Sequence, residues 1–185
     1  MSPPEAITGH YIDVKGTRTF YDEIGDGKPL VCVHTAGASS LEYHLALPLY
    51  ASQGFHVFAL DLPGHSRSYP VNWTQHRSIH QHAEFVHEFV LALGLDDPVI
   101  TGCSIGGDIT FDYAVNHWRD MAAGIPMEGL GRSPTFPCPD SMVHPAWAPG
   151  WQDMIERAAV ESLGRNVSEE KQNELRWQHK NAQVS

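Results

Sequence analysis

A serine set among glycines, Gly102-Cys103-Ser104-Ile105-Gly106, is the group in this sequence best placed to act as a nucleophile. It follows an apolar run at 98–101 and precedes a predicted helix at 109–117. Strand, sharp turn and helix form the setting in which a serine hydroxyl is held clear of the backbone. The helix N-terminus behind it favours negative charge. The alternative is an ordinary glycine-rich turn between a strand and a helix.

A serine hydroxyl attacks poorly without a base in hydrogen-bond reach. Twelve histidines are available by count. His34 ends an apolar run, where it either shapes the adjoining loop and borders the substrate or is a buried strand-end residue. His65 belongs to a turn-rich loop, and His144 and His179 lie near the C-terminus as weak substitute bases. His76, His80, His82 and His87 fall on or beside a helix, with His80 and His87 seven apart on one face. No cysteine or carboxylate joins them in a ligand spacing, so a solvated face is expected and no metal site.

The elements that must position Ser104 alternate along the chain. Short strands at 10–14 and 17–24 flank Lys15-Gly16 as a hairpin. Apolar runs at 29–33 and 55–60 read as buried strands. A helix is expected at 40–52, and Ile79, Ala83, Val86, Val90 and Leu93 mark one face of another, stopped by Gly94. A last strand is expected at 122–127. This pattern predicts an α/β fold, a mostly parallel twisted sheet with helices on both faces. Beyond Glu128 prolines recur, and two helices follow at 151–163 and 168–179. The expected organisation is a core at 1–129 and a helical cap at 130–185.

Composition limits the partners. A chain of 185 residues, 42% hydrophobic, can bury one sizeable core. A formal charge of −10 argues against nucleic acid and anionic membranes. No apolar run approaches the roughly 20 residues of a membrane span. The N-terminus lacks the pattern of a signal peptide. Three cysteines in unrelated contexts suggest reduced thiols and a cytoplasmic protein, with Cys32 and Cys103 as small core residues.

Four segments, in order, resemble the α/β-hydrolase superfamily: residues 31–37, 60–68, 102–107 and 126–128. The likeness covers about the first 130 residues, the N-terminal two-thirds of that fold. The pattern at 54–68 and the Gly-Cys-Ser elbow look most like zearalenone lactonases and related small serine esterases. The resemblance implies an oxyanion hole from the backbone N–H groups of Ala36 and Ile105, each worth roughly 3 kcal/mol in related systems. Thr35 stands where glycine is common, which leaves the path of that loop open. The resemblance also implies Glu128 as the acid that orients a catalytic histidine, the alternative being an exposed strand-end acid. The histidine itself is expected beyond residue 185, as are the last strands, so a truncated chain is expected to be unstable and inactive alone.

Ser104 in place of an elbow aspartate points to acyl transfer. The expected function is therefore a cofactor-free hydrolase of a small hydrophobic ester or lactone, with a homodimer left open. Its rivals are a C–C bond hydrolase, a perhydrolase and a non-catalytic ligand-binding member. In the expected cap, Trp147, Trp151, Met154 and Trp177 either line an apolar pocket or pack cap helices onto the core.

Overall fold

The computed structural model describes residues 6–70, 78–129 and 168–181. Six strands form one sheet: β1 (Thr8–Val14), β2 (Thr17–Ile24), β3 (Lys28–Val33), β4 (Phe55–Leu60), β5 (Val99–Cys103) and β6 (Ala123–Met127). Their order is β1-β2-β4-β3-β5-β6. β1 and β2 pair antiparallel, as do β2 and β4, whereas β3, β4, β5 and β6 run parallel. Lys15 and Gly16, both at positive φ, turn the chain between β1 and β2.

Helices cover both faces, and the strands show why. Successive strand side chains point to opposite sides. Val31, Val33, Phe58 and Leu60 join one apolar cluster with Phe85, Phe89, Ile109 and Tyr113. Their neighbours Leu30, Cys32, Val57 and Ala59 join a second with Tyr43 and Leu47. The first cluster is closed by α2 (Ile79–Ala92) and α3 (Ile105–Asn116), the second by α1 (Leu47–Ser52). A fourth helix, α4 (Glu169–Asn181), starts at Ser168, whose hydroxyl accepts from the Lys171 N–H at 3.3 Å.

Local chemistry sets the ends of α2. The Ser78 hydroxyl accepts from the Gln81 N–H at 3.2 Å. Past Leu93, the N–H groups of Gly94 and Leu95 return to the carbonyls of Leu91 and Val90. The helix expected at 40–52 is instead two pieces, a 3₁₀ turn at Ser40–Tyr43 and then α1. Pro48 sits in the first turn of α1, where its missing N–H costs nothing, and it could not continue a helix begun at Ser40.

Candidate active site

Ser104 stands at the C-terminal end of β5 and caps the N-terminus of α3. Its backbone lies at φ 53° and ψ −119°, a strained conformation that turns the side chain out of the fold. Two hydrogen bonds hold that geometry. The Ser104 N–H donates to the Met127 carbonyl at 2.9 Å, and its own carbonyl accepts from the Asp108 N–H at 3.0 Å. The flanking residues must be small. A Cβ on Gly102 would lie 2.3 Å from the Gly106 oxygen, and one on Gly106 would lie 2.1 Å from the Val33 oxygen.

That last approach presses the start of α3 against the end of β3, where the expected oxyanion loop begins. Residues Thr35 to Ala38 form a β-turn, closed by the Ala38 N–H donating to the Thr35 carbonyl at 3.2 Å. Gly37, at φ 74°, supplies the left-handed third position. The freedom that Thr35 lacks is therefore provided two residues on. Ala36 takes the second position, whose N–H such a turn does not use, and it is exposed. Ile105 opens α3, so its N–H has no acceptor within the helix. Both N–H groups remain available for a ligand oxygen among the described residues.

Glu42, unremarked in the sequence, pins this loop. Its carboxylate accepts from the Thr35 N–H at 2.8 Å. The 3₁₀ turn that carries it is tied to β3 by the Tyr43 hydroxyl, which donates to the Val33 carbonyl at 2.9 Å. No signal in the sequence pointed to it, since the contact spans a loop.

His34 is fully buried beneath the loop. The Leu62 N–H donates to its Nε2 at 3.0 Å, so the ring proton is on Nδ1, which donates to the Thr35 carbonyl at 2.7 Å. Burial holds its pKa down, with the nearby Arg67 charge also lowering it. A neutral ring with both nitrogens engaged braces the loop. It has no face to offer a substrate, which corrects the expectation of a substrate contact. The His65 ring lies tilted beside it at 4.9 Å and is also buried, its pKa pushed down to about 3, chiefly by burial.

Glu128 follows β6, whose Met127 pairs with Cys103. The acid is exposed and at φ 53°. The Cys103 thiol donates to its Oε2 at 3.5 Å. Burial, and then that carboxylate, raise the Cys103 pKa, so the thiol stays protonated near neutral pH. Cys103 is thus half-buried at the rim and not the core residue expected. No histidine contacts Glu128 among the described residues.

The turn-rich loop after β4 supports the same rim. Asp61 is fully buried and accepts from the N–H of Ser40 at 2.8 Å and from Arg67 Nε at 2.8 Å. The Arg67 guanidinium stacks over Phe20 at 3.5 Å and reaches the Ser40 hydroxyl at 2.7 Å. Trp147, Trp151 and Met154 lie outside the described residues, and Trp177 is half-exposed on α4.

A family model for the alpha/beta hydrolase fold matches residues 28–183. The chain belongs to the α/β-hydrolase family. Among its relatives are 2-hydroxy-6-oxo-6-(2'-aminophenyl)hexa-2,4-dienoic acid hydrolase of Metapseudomonas resinovorans, 29% identical over 68% of this chain and 44% of that protein. A soluble epoxide hydrolase of Corynebacterium sp. (strain C12) is 34% identical over 62% of this chain and 39% of its own length. The solved structure of Est816, an N-acyl homoserine lactone degrading enzyme, superposes with a TM-score of 0.54 at 28% identity, covering 60% of this chain and 42% of that one. This α/β-hydrolase chain therefore spans less than half the length of these relatives. No helix among the described residues is long and apolar enough to cross a membrane.

Proposed function

We propose that this α/β-hydrolase cleaves a carboxylic ester or lactone through an acyl-enzyme on Ser104. The observation that carries the reading is the elbow itself: a serine at φ 53° on the N-terminus of α3, followed by Ile105, with Gly106 packed against the end of β3 that leads into the turn of Ala36. Ser104 Oγ attacks the carbonyl carbon. The carbonyl electrons move to its oxygen, which the two N–H groups receive as an oxyanion. Collapse expels the alcohol and leaves the acyl-serine, which water hydrolyses in a second, matching step. A histidine outside these 185 residues takes the serine proton and returns it to the leaving alcohol. Glu128, whose carboxylate lies at the same rim, holds that histidine in register. No cofactor enters these steps. A helical cap at 130–185 roofs the site over a hydrophobic acyl or alcohol group, with Trp147, Trp151, Met154 and Trp177 as its apolar lining.

The likeness to Est816 favours a lactone among the esters. A second reading, hydrolysis of a C–C bond beside a ketone, is favoured by the Metapseudomonas relative. It uses the same serine and the same hole.

The test is fluorophosphonate labelling of the full-length protein with peptide mapping, followed by a panel of aryl esters, acyl lactones and vinylogous diketones. Label on Ser104, ester or lactone turnover, and loss of both in Ser104→Ala are expected. Glu128→Gln should lower kcat by about 10⁴-fold with Ser104 still in place. Turnover of diketones alone would favour the second reading, and an unlabelled Ser104 would remove the acyl-enzyme.

A further inference from the structure

At the opposite end of α3 from Ser104, two imidazoles and two carboxylates converge. Twelve residues of α3 separate the ends, about 18 Å of helix. Glu84 and His87 are three apart on one face of α2. His117 caps the C-terminus of α3, and Asp120 closes the short 3₁₀ turn that follows. A nitrogen of each imidazole and a carboxylate oxygen of Asp120 lie within 4.8 Å of one another. His117 Nε2 is 2.6 Å from Glu84 Oε1, and His87 Nε2 is 3.4 Å from Asp120 Oδ2.

Two polar atoms here are buried without a hydrogen bond among the described residues. One is His87 Nε2 and the other the Tyr113 hydroxyl. Tyr113 is completely buried, with its ring edge-on to His87 at 5.7 Å and tilted against His117 at 5.2 Å. Buried polar groups are nearly always satisfied, and an orphaned pair at one place implies an absent ligand. The two imidazoles stack at 3.8 Å and 13°. The stacking brings the two rings side by side with Asp120 within reach of both.

We propose that His87, His117 and Asp120 bind one divalent transition cation, with Zn²⁺ the best match. Two imidazoles and a carboxylate suit that ion and leave a fourth position for water, while Glu84 holds the His117 ring. Rotation of either ring about its soft second torsion turns a nitrogen toward the shared point. The Tyr113 hydroxyl serves a water on the ion or a carboxylate oxygen. Asp120 and Glu84 are half-exposed, which leaves a way in, whereas the imidazoles are largely covered. The ion staples α2 to the turn between α3 and β6, remote from the Ser104 chemistry.

The experiment uses the full-length protein stripped of metal. Zn²⁺ is titrated by calorimetry near neutral pH, Co²⁺ by visible absorption, and Tm is followed against Zn²⁺. One equivalent bound and a Tm that climbs with Zn²⁺ are expected. His117→Gln and Asp120→Asn should each weaken binding about tenfold or more. Asp120 is at the surface, so that variant folds and its loss of affinity alone supports the site. Failure of the parent protein to bind either ion overturns the proposal. So does binding that both variants leave unchanged, since the ion would then sit elsewhere.

Discussion

Gly106 is where the nucleophile and the oxyanion loop touch. Its hydrogen faces the Val33 and His34 carbonyls, and a methyl in its place would meet them at 2.1 and 2.8 Å. Neither oxygen belongs to a flexible side chain, so the backbone must move. Gly106→Ala should cost about 2–3 kcal/mol in urea unfolding, within the usual range of overpacking. It should also lower kcat more than it raises KM, because the shift separates the Ala36 and Ile105 N–H groups from the oxyanion they serve. At this scale the sequence was readable where the signal was local. Gly-x-Ser-x-Gly announces a strained turn by composition alone. Glu42 was not readable, because its bond to Thr35 depends on a 3₁₀ turn folding back onto β3. The proposed cation cluster was not readable for the same reason, since His117 and Asp120 come from other elements than His87.

Among the elements, α2 carries unrelated duties on its ends and faces. Its apolar face closes the first core cluster, and Glu84 and His87 in its middle turns meet the end of α3. Its N-cap is a single serine, exposed, with a hydroxyl on the Gln81 N–H. Ser78→Ala should lower stability by about 1 kcal/mol, read as a shift in urea midpoint with unchanged slope. Glycine should recover most of that loss, because it too is tolerated at a cap. The periodicity of Ile79, Ala83, Val86 and Val90 identified this helix because one apolar stripe packs on one sheet. The prediction for 40–52 failed because that segment has no such stripe, and Pro48 restarts the helix after Ala46. Of the two histidines expected on a solvated face, His80 is exposed and meets Asp112 at 2.8 Å, whereas His87 is turned to α3 and stacks on His117.

For the whole molecule, the buried histidines set the response to acid. His34 and His65 are both held neutral, their pKa values lowered chiefly by burial, His65 to about 3. In the unfolded chain each takes up a proton below about pH 6.5. The unfolded state then binds more protons than the folded one, so stability rises with pH through this window and falls on acidification. Each histidine contributes a slope of up to about 1.4 kcal/mol per pH unit below pH 6.5. Urea midpoints measured from about pH 7 down to about pH 5 should fall accordingly, and His65→Gln should flatten the fall. A parent protein with a level profile over that range would show these rings to be protonated in the fold. A mostly parallel sheet with helices on both faces was legible from alternating strands and helices, and so was the helix at 168–179, found at Glu169–Asn181. The strand order was not, because it depends on contacts between elements far apart in sequence.

The two apolar clusters divide the central strands residue by residue. Val31 and Cys32 share a peptide bond yet belong to different interiors, and Phe58 and Ala59 do the same on the next strand. Each strand is thus a party wall between two rooms. A substitution on one side is answered by side chains several elements away in sequence, and its immediate neighbour is indifferent to it. Natural variation in β3 and β4 is therefore free to proceed as two interleaved histories, Val31, Val33, Phe58 and Leu60 with α2 and α3, and Leu30, Cys32, Val57 and Ala59 with α1. The room holding α3 also carries Ser104 at one end and the histidine cluster at the other, so drift in the other room leaves both untouched.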